Sequence, residues 1–262
     1  RINVNPNEQI RLLKECEQAH LSLFTTFIDY GKYAVYTDNQ IANMYSHNFT
    51  YIKSGLSADE VFSLVEALRE ENKEKPFLSV LFAPDYDLDW ERFKAFGFDV
   101  FFLLYMAAKP DDVNISVLNQ SCIVKIAADE KTLYDGIICD IKGDEADYSF
   151  LYNYNMRKKS ALAKNPDKSF LFVVYVDGIP AGKCEVFIND GILRIESLLV
   201  EKSYRNKGVA SSIVYKVKEF AIQHGIAMIY LMADESDRPK QMYAKMGFQT
   251  LGRESWLFRK NG

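Results

Sequence analysis

The stretch ESLLVEKSYRNKGVASSIV, Glu196 to Val214, carries the residues on which the fold turns. Its opening residues read as the end of an apolar strand. From Gly208 to Gln223 the apolar positions Val209, Ile213, Val217 and Phe220 recur at helical spacing, so a helix follows after a short loop. The junction is poorly made for a helix start. Arg205 and Lys207 bring two cations to the positive end of the helix dipole, where cations are disfavoured. Gly208 adds nothing to helix stability, and Ala210 is small. No Asp, Asn or Thr is well placed as an N-cap: Ser203 stands too early, and Asn206 is the only possibility. A bound phosphate accounts for each feature: free first-turn N–H groups point at it, Gly208 and Ala210 do not hold it off, and the cations add attraction.

An internal comparison sharpens this reading. Shifted by 150 residues, GLSADE (Gly55 to Glu60) falls opposite RNKGVA (Arg205 to Ala210). There Ser57 and Glu60 form an S-x-x-E capping box, and Asp59 and Glu60 already satisfy the helix dipole. One segment is suited to an anion and the other repels it. The same shift sets ERFKAFGF (Glu91 to Phe98) beside QMYAKMGF (Gln241 to Phe248), both ending in Gly-Phe. Around each, the order strand, helix, strand, short helix, strand repeats, which points to a duplication. In the first half the elements are Phe49–Lys53, Ala58–Glu71, Phe77–Phe82, Trp90–Phe96 and Asp99–Ala107. In the second they begin with a strand at Ser121–Ile126 and helices at Thr132–Ile141 and Tyr148–Leu162. Strands at Phe170–Val176, Ala181–Ile188 and Leu193–Val200 follow. Asp177-Gly178 and Asp190-Gly191 between them predict an antiparallel meander. A buried strand Ala227–Met232, a short helix Pro239–Lys245 stopped by Gly247, and two last strands, Phe248–Leu251 and Ser255–Arg259, complete it.

Composition narrows the function classes. The 262 residues are 48% hydrophobic and 26% charged, which excludes wholesale disorder and low-complexity repeats. The longest uncharged apolar run, Val100 to Ala108, is far short of the roughly 20 residues a spanning helix needs, so no membrane partner is expected. No basic region followed by an apolar one opens the chain, so no signal peptide is expected. Four cysteines without C-x-x-C spacing fit a reducing cytoplasm, and three isolated histidines predict no bound metal. Residues 1–119 hold 11 basic and 18 acidic side chains, a net −7, whereas the remainder carries +3. The second half is therefore the expected home of an anionic ligand, and nothing is basic enough for nucleic acid.

The pieces LLVEKSYRNKGVASSIV and KQMYAKMGF resemble the GNAT superfamily of acyl-CoA-dependent N-acetyltransferases. The resemblance implies an α+β (mixed α/β) chain of acyl-CoA N-acyltransferase fold, with two tandem GNAT-like domains, each a central mixed sheet flanked by helices. Residues 1–110 would be a degenerate, non-catalytic copy, 111–120 a linker, and 121–262 the catalytic domain. The family's pyrophosphate loop, R/Q-x-x-G-x-G/A, is met by Arg205, Gly208 and Ala210. By resemblance, Arg205, Asn206, Lys207, Gly208, Val209, Ala210 and Ser211 would hold the pyrophosphate of coenzyme A. Leu198, Leu199 and Val200 would pair with the pantetheine arm, and Tyr243 would lie near the thioester sulfur. Ser236 stands where many members carry a cofactor-contacting Asn, and Pro239 replaces a usual Ala. The acceptor would enter beside the first two helices of the domain.

The chemistry sets further needs. An amine attacking a thioester must lose a proton, the carbonyl oxygen needs a donor, and the leaving thiolate is best released with a proton. Tyr243 is the candidate acid; its counterpart in the first half, Phe93, has no proton to give. Glu196 is the candidate base, placed on one strand face with Leu198 and Val200 and expected to have a raised pKa; a salt bridge to Arg194 is the alternative. A backbone N–H near Leu198 or Leu199 would serve the oxyanion. Tyr152, Tyr154, Asn155 and Arg157 are candidate acceptor contacts, the Arg suiting a carboxylate. The reading is an acetyl-CoA-dependent N-acetyltransferase for a small-molecule primary amine, a free amino acid among the candidates. The first half would shape the acceptor cleft. A non-catalytic CoA sensor or scaffold, and an aminoacyl-tRNA-dependent transferase, stay as alternatives; the acidic first half disfavours the latter.

Overall fold

A computed structural model describes residues 5–143 and 147–261. The outer limits of the expected domain ranges, at 1–4 and 262, lie outside the described residues. The helices are α1 (Pro6–Leu21), α2 (Ala58–Glu71), α3 (Trp90–Ala95), α4 (Glu130–Gly143), α5 (Tyr148–Lys164), α6 (Val209–Gln223) and α7 (Pro239–Lys245). The strands are β1 (Thr26–Asp29), β2 (Tyr33–Thr37), β3 (Phe49–Ile52), β4 (Phe77–Phe82), β5 (Asp99–Ala108), β6 (Cys122–Ile126), β7 (Ser169–Val176), β8 (Ile179–Asn189), β9 (Ile192–Val200), β10 (Met228–Asp234) and β11 (Gln249–Lys260).

Backbone contacts divide the chain into two compact units. The larger comprises Arg1–His20, Met106–Met232 and Gln241–Gln249; the smaller comprises Leu21–Tyr105, Ala233–Lys240 and Thr250–Gly262. Compared with a cut at 111–120, two segments change sides. Helix α1 packs with the later residues: the Cys16 thiol reaches the Ile192 carbonyl and His20 meets the Phe187 ring edge-on at 5.2 Å. Most of β11 packs with the earlier ones, pairing antiparallel with β4 from Trp256↔Leu81 to Lys260↔Phe77. The segment read as a linker is packed as well. Val113 is buried, its carbonyl accepts from Lys218 Nζ at 2.6 Å, and the Asn114 N–H bonds the Met246 carbonyl.

In the larger unit the strand order includes β10-β9-β8-β7-β6. The meander forms as the turn chemistry predicts. Asp177 and Gly178 have φ of 50° and 81°, and Asp190 and Gly191 have 47° and 76°, the doubly left-handed turns whose twist matches that of the strands they join. β7 is buried from Leu171 to Val176, as an interior strand covered on both faces must be. Helix α6 buries Val209, Ile213, Val217 and Phe220, the expected stripe, with Ser212, Val214 and Ala221 widening it.

In the smaller unit the order includes β1-β2-β3-β4-β11. Val61, Val65 and Leu68 of α2 pack with Ile52, Val80, Phe82, Phe93 and Leu257. The C-terminal residues form one strand rather than two, because Gly252 continues the ladder instead of breaking it. Three elements, α1, β1 and β2, precede the first one the sequence reading assigns. Helix α1 buries only Leu13, Cys16 and Glu17, and all four residues of β1 are exposed, so neither shows a strong apolar period.

Candidate active site

The start of α6 has the geometry of an anion-binding mouth. Its N-cap is Gly208, held left-handed at φ 73°, ψ 9°, and no side chain caps it. Asn206 is also left-handed, at φ 61°, and belongs to the approach, so the helix start lacks a side-chain cap, as the sequence indicates. It stands two residues before the N-cap Gly208, so its side chain is not at the cap. The first i→i−4 bond of the helix runs from the Ser212 N–H to the Gly208 carbonyl. The N–H groups of Val209, Ala210 and Ser211 therefore precede the intrahelical ladder. Asn119 holds the loop from outside. Its Nδ2 donates to the Lys207 carbonyl at 2.8 Å and its N–H to Ser212 Oγ at 3.3 Å, while that hydroxyl donates to the Gly208 carbonyl. Arg205 Nε donates to the Val200 carbonyl at 3.0 Å, tying the loop to the end of β9. At the corresponding start of α2, Ser57 accepts from the Glu60 N–H and Glu60 accepts from the Ser57 N–H at 2.9 Å, a complete capping box. One helix start is closed by its own carboxylate and the other is left open.

Strand β9 leads to that mouth through a bulge. Glu185 pairs with Glu196, but Lys183 pairs with Leu199, so β9 carries one extra residue between them. Ser197 takes up the kink at φ 49°, a conformation that costs a non-glycine residue about 1 kcal/mol or more. The bulge corrects the expected side-chain pattern. Strict alternation places Glu196 with Leu198 and Val200, whereas the inserted residue puts it in phase with Leu199. Pairing of β9 with β10 runs from Ile192↔Met228 to Ile195↔Leu231 and stops there, while pairing with β8 continues to Val200. Residues 196–200 thus present one backbone edge with no β10 partner. Gly182 lies opposite this segment, where a Cβ would come within 2.5 Å of the Leu199 carbonyl oxygen, so only glycine fits.

Charged groups gather beside the bulge. Arg194 Nε donates to Glu196 Oε2 at 2.7 Å, and its guanidinium also reaches the Tyr230 hydroxyl at 3.2 Å. Burial raises the Glu196 pKa, but the charge of Arg194, with His20 and Lys158 beyond it, outweighs burial and holds it at about 2. The expected raised pKa is corrected: the ion pair with Arg194 is what forms. His20, on α1, is pushed down to about 4 by burial and then by Arg194. Lys158 on α5 donates to Glu185 Oε1 at 2.8 Å and to Ser197 Oγ at 3.3 Å. Lys183 donates to the same Glu185 oxygen at 2.6 Å and pairs with Asp140 of α4 at 3.0 Å. None of Lys158, Lys183, Glu185, Asp140, Ser197 or Gly182 is a candidate on sequence grounds. The readable signal is the alternation of Lys183 and Glu185 with apolar residues on a strand otherwise apolar on both faces.

These groups predict an acid response. His20 binds its proton less readily folded than unfolded, so the stability this reflects is whole above about pH 6.5 and fades as pH falls toward 4. Glu196 holds its charge more readily folded, so its share is whole above about pH 4.5 and fades toward 2. The melting temperature is expected to fall steadily from pH 7 to 3, with the upper part of that slope removed in His20→Leu; a flat profile in the wild type would refute the assignment.

Tyr243 lies on α7, 7% exposed, edge-on to Phe248 at 5.8 Å. Burial, then the neighbouring Cys184 thiol, push its phenol well above the ordinary range. Ser236 spends its hydroxyl on Asp234 Oδ1 at 2.6 Å. On α5, the four acceptor candidates point different ways. Tyr152 is exposed and stacks on Tyr148. Asn155 is buried and donates back to the Leu151 carbonyl at 2.8 Å. Arg157 is half-buried. Tyr154 turns inward, its ring 3.7 Å from Lys158 Nζ and its hydroxyl toward Ser197. Of these it is Tyr154 that the fold brings to the bulge.

Residues 134–248 match the Acetyltransferase (GNAT) family. An uncharacterized N-acetyltransferase of Bacillus subtilis (strain 168), CgeE, is 22% identical over an alignment covering 92% of this chain and 95% of its own length. A GCN5-related N-acetyltransferase from Kribbella flavida superposes with a TM-score of 0.70 at 14% identity, covering 95% of both chains. A tandem GNAT protein from the clavulanic acid biosynthesis pathway superposes at 0.56 with 11% identity, covering 91% of this chain and 84% of its own. The stretch that matches the GNAT family spans the meander, the open mouth of α6 and the Tyr243 helix, and the fold is that of GNAT acetyltransferases.

Proposed function

We propose that the protein transfers an acetyl group from acetyl-CoA to the primary amine of a small molecule. The observation that carries the reading is the uncapped, glycine-started mouth of α6, joined by a short loop to a strand whose last five residues lack a β10 partner on one edge. The N–H groups of Val209, Ala210 and Ser211 would take the pyrophosphate, with Lys207 and the Arg205 guanidinium adding charge. Leu198 to Val200 would pair with the pantetheine arm as an added strand, one of their N–H groups serving the oxyanion. The Tyr243 phenol, kept protonated by its surroundings, would give its proton to the departing thiolate.

Glu196 has a different part from the one a raised pKa would allow. A carboxylate at about 2 is a weak proton acceptor at neutral pH. Arg194 engages Oε2, and Oε1 is the oxygen available to orient a water or the incoming ammonium before its proton leaves to solvent. The rate is then expected to rise with pH up to the pKa of the acceptor amine itself. A break between pH 6 and 7 that disappears in Glu196→Gln would return the proton-accepting role to Glu196. The smaller unit would bind no CoA, since the Ser57–Glu60 box occupies the helix start that a phosphate needs.

Calorimetric titration with acetyl-CoA, followed by thiol release across primary amines that include polyamines, amino sugars and free amino acids, tests the reading. Saturable binding with release for at least one amine is expected. Absence of binding would end the CoA assignment, and tight binding with no release for any amine would turn the protein into a CoA sensor.

A further inference from the structure

The charged groups beneath α4 and α5 form a continuous chain. Asp140 of α4 meets Lys183 of β8, Lys183 meets Glu185, and Glu185 meets Lys158 of α5. Lys158 then reaches Ser197 Oγ at 3.3 Å. Lys183 is 1% exposed and Lys158 8%, so both ammonium groups have left bulk water and depend on these partners. The chain ends at Ser197, the one β9 residue forced into the left-handed region, at the point where pairing with β10 has ceased and the extra residue of the bulge is accommodated. A left-handed serine persists only when its surroundings hold it there. Here the holding groups come from α5: Lys158 on the hydroxyl, and Tyr154, whose ring lies under that same ammonium. Gly182 on the facing strand leaves the bulge room but gives it no side-chain support.

We propose that Lys158 is a positioning residue that, through Ser197, holds the β9 bulge in the shape that receives the thioester arm of the acyl donor. The proposal rests on the reading that Leu198–Val200 pair with that arm. Lys158 itself touches no reacting atom; it ties helix α5 to the strand edge on which the donor lies. Without it, Ser197 relaxes toward ordinary strand geometry, and the backbone edge after Ile195 no longer presents its N–H and C=O groups in register with an added strand.

The test compares two probes that share the nucleotide end of CoA. 3′,5′-ADP reaches the α6 mouth alone, whereas acetyl-CoA also needs the bulged edge. In Lys158→Met, acetyl-CoA affinity is expected to weaken about tenfold while 3′,5′-ADP affinity stays within about twofold. A purely structural loss would lower both alike. Ser197→Ala, which leaves the buried ion pairs intact and so keeps the measurement available where Lys158→Met fails to fold, is expected to reproduce the same split. The double variant should be no worse than the single ones. Wild-type acetyl-CoA affinity in Ser197→Ala, or equal weakening of both probes in either variant, overturns the proposal. A wild-type protein that binds 3′,5′-ADP and acetyl-CoA equally well overturns instead the underlying reading of Leu198–Val200.

Discussion

Gly208→Glu is expected to abolish acetyl-CoA binding in calorimetric titration, a loss of about a hundredfold or more, while the melting temperature falls by only a few degrees and the fold is kept. Two effects add. Gly208 sits at φ 73°, where any residue with a Cβ is penalised by roughly 1–2 kcal/mol. A Cβ there would lie 3.4 Å from the Asn119 amide nitrogen, close but tolerable, so space is not the main cost. Charge matters more: a carboxylate at the mouth of α6 turns toward the first-turn N–H groups and repels the diphosphate that would take them. The protein already contains that arrangement, at Ser57–Glu60 of α2. Gly208→Ala separates the two effects. It carries the backbone penalty without the charge, and its affinity is expected to fall only about fivefold, near 1 kcal/mol. Undiminished affinity in Gly208→Glu would remove the loop from the mechanism.

Tyr243→Phe is expected to lower turnover about a hundredfold with acetyl-CoA affinity within about twofold, since a positioned proton donor contributes roughly 10²–10⁴ in rate. Its environment makes the phenol a stable acid. Burial and the Cys184 thiol push its pKa upward, so it keeps its proton throughout the neutral range and no basic limb below about pH 10 belongs to it. The change removes one hydroxyl from a side chain already packed against Phe248, so stability should barely move. Turnover equal to wild type would leave Tyr243 as a packing residue, the role its counterpart Phe93 fills at 2% exposure in the smaller unit.

Much of the fold is legible because it is written in local chemistry. The Asp-Gly turns, the apolar stripe of α6, the capping box of α2 and the Gly247 stop each depend on residues within a few positions of one another. Helices α2 and α7 and strand β4 have the expected bounds for that reason. The mouth of α6 is equally local, since charge, missing cap and missing Cβ all lie between Arg205 and Ala210. The first 48 residues are less legible because α1 and β1 have little buried surface to impose a period.

The state of Glu196 could not be read along the chain. Its apolar neighbours argue for a raised pKa, and its true partner, Arg194, is two residues away on the same strand face, so either outcome suits the local pattern. The bulge at Ser197 decides which residues share that face, and it exists only against the register of β8. Lys158 and Asp140 come from different helices, and they meet Glu185 and Lys183 only when α4 and α5 lie over β8.

Short-range chemistry therefore settled most of the helices and strands beyond residue 48, and which helix start is open to an anion, because capping, turn and periodicity energies act over a few residues. Packing alone settled how the charges pair, where β9 breaks from its neighbour, and that α1 and β11 each join residues from the far half of the chain. Those outcomes depend on groups distant in sequence being brought into contact and out of water, where the strength of a charge is set by what surrounds it.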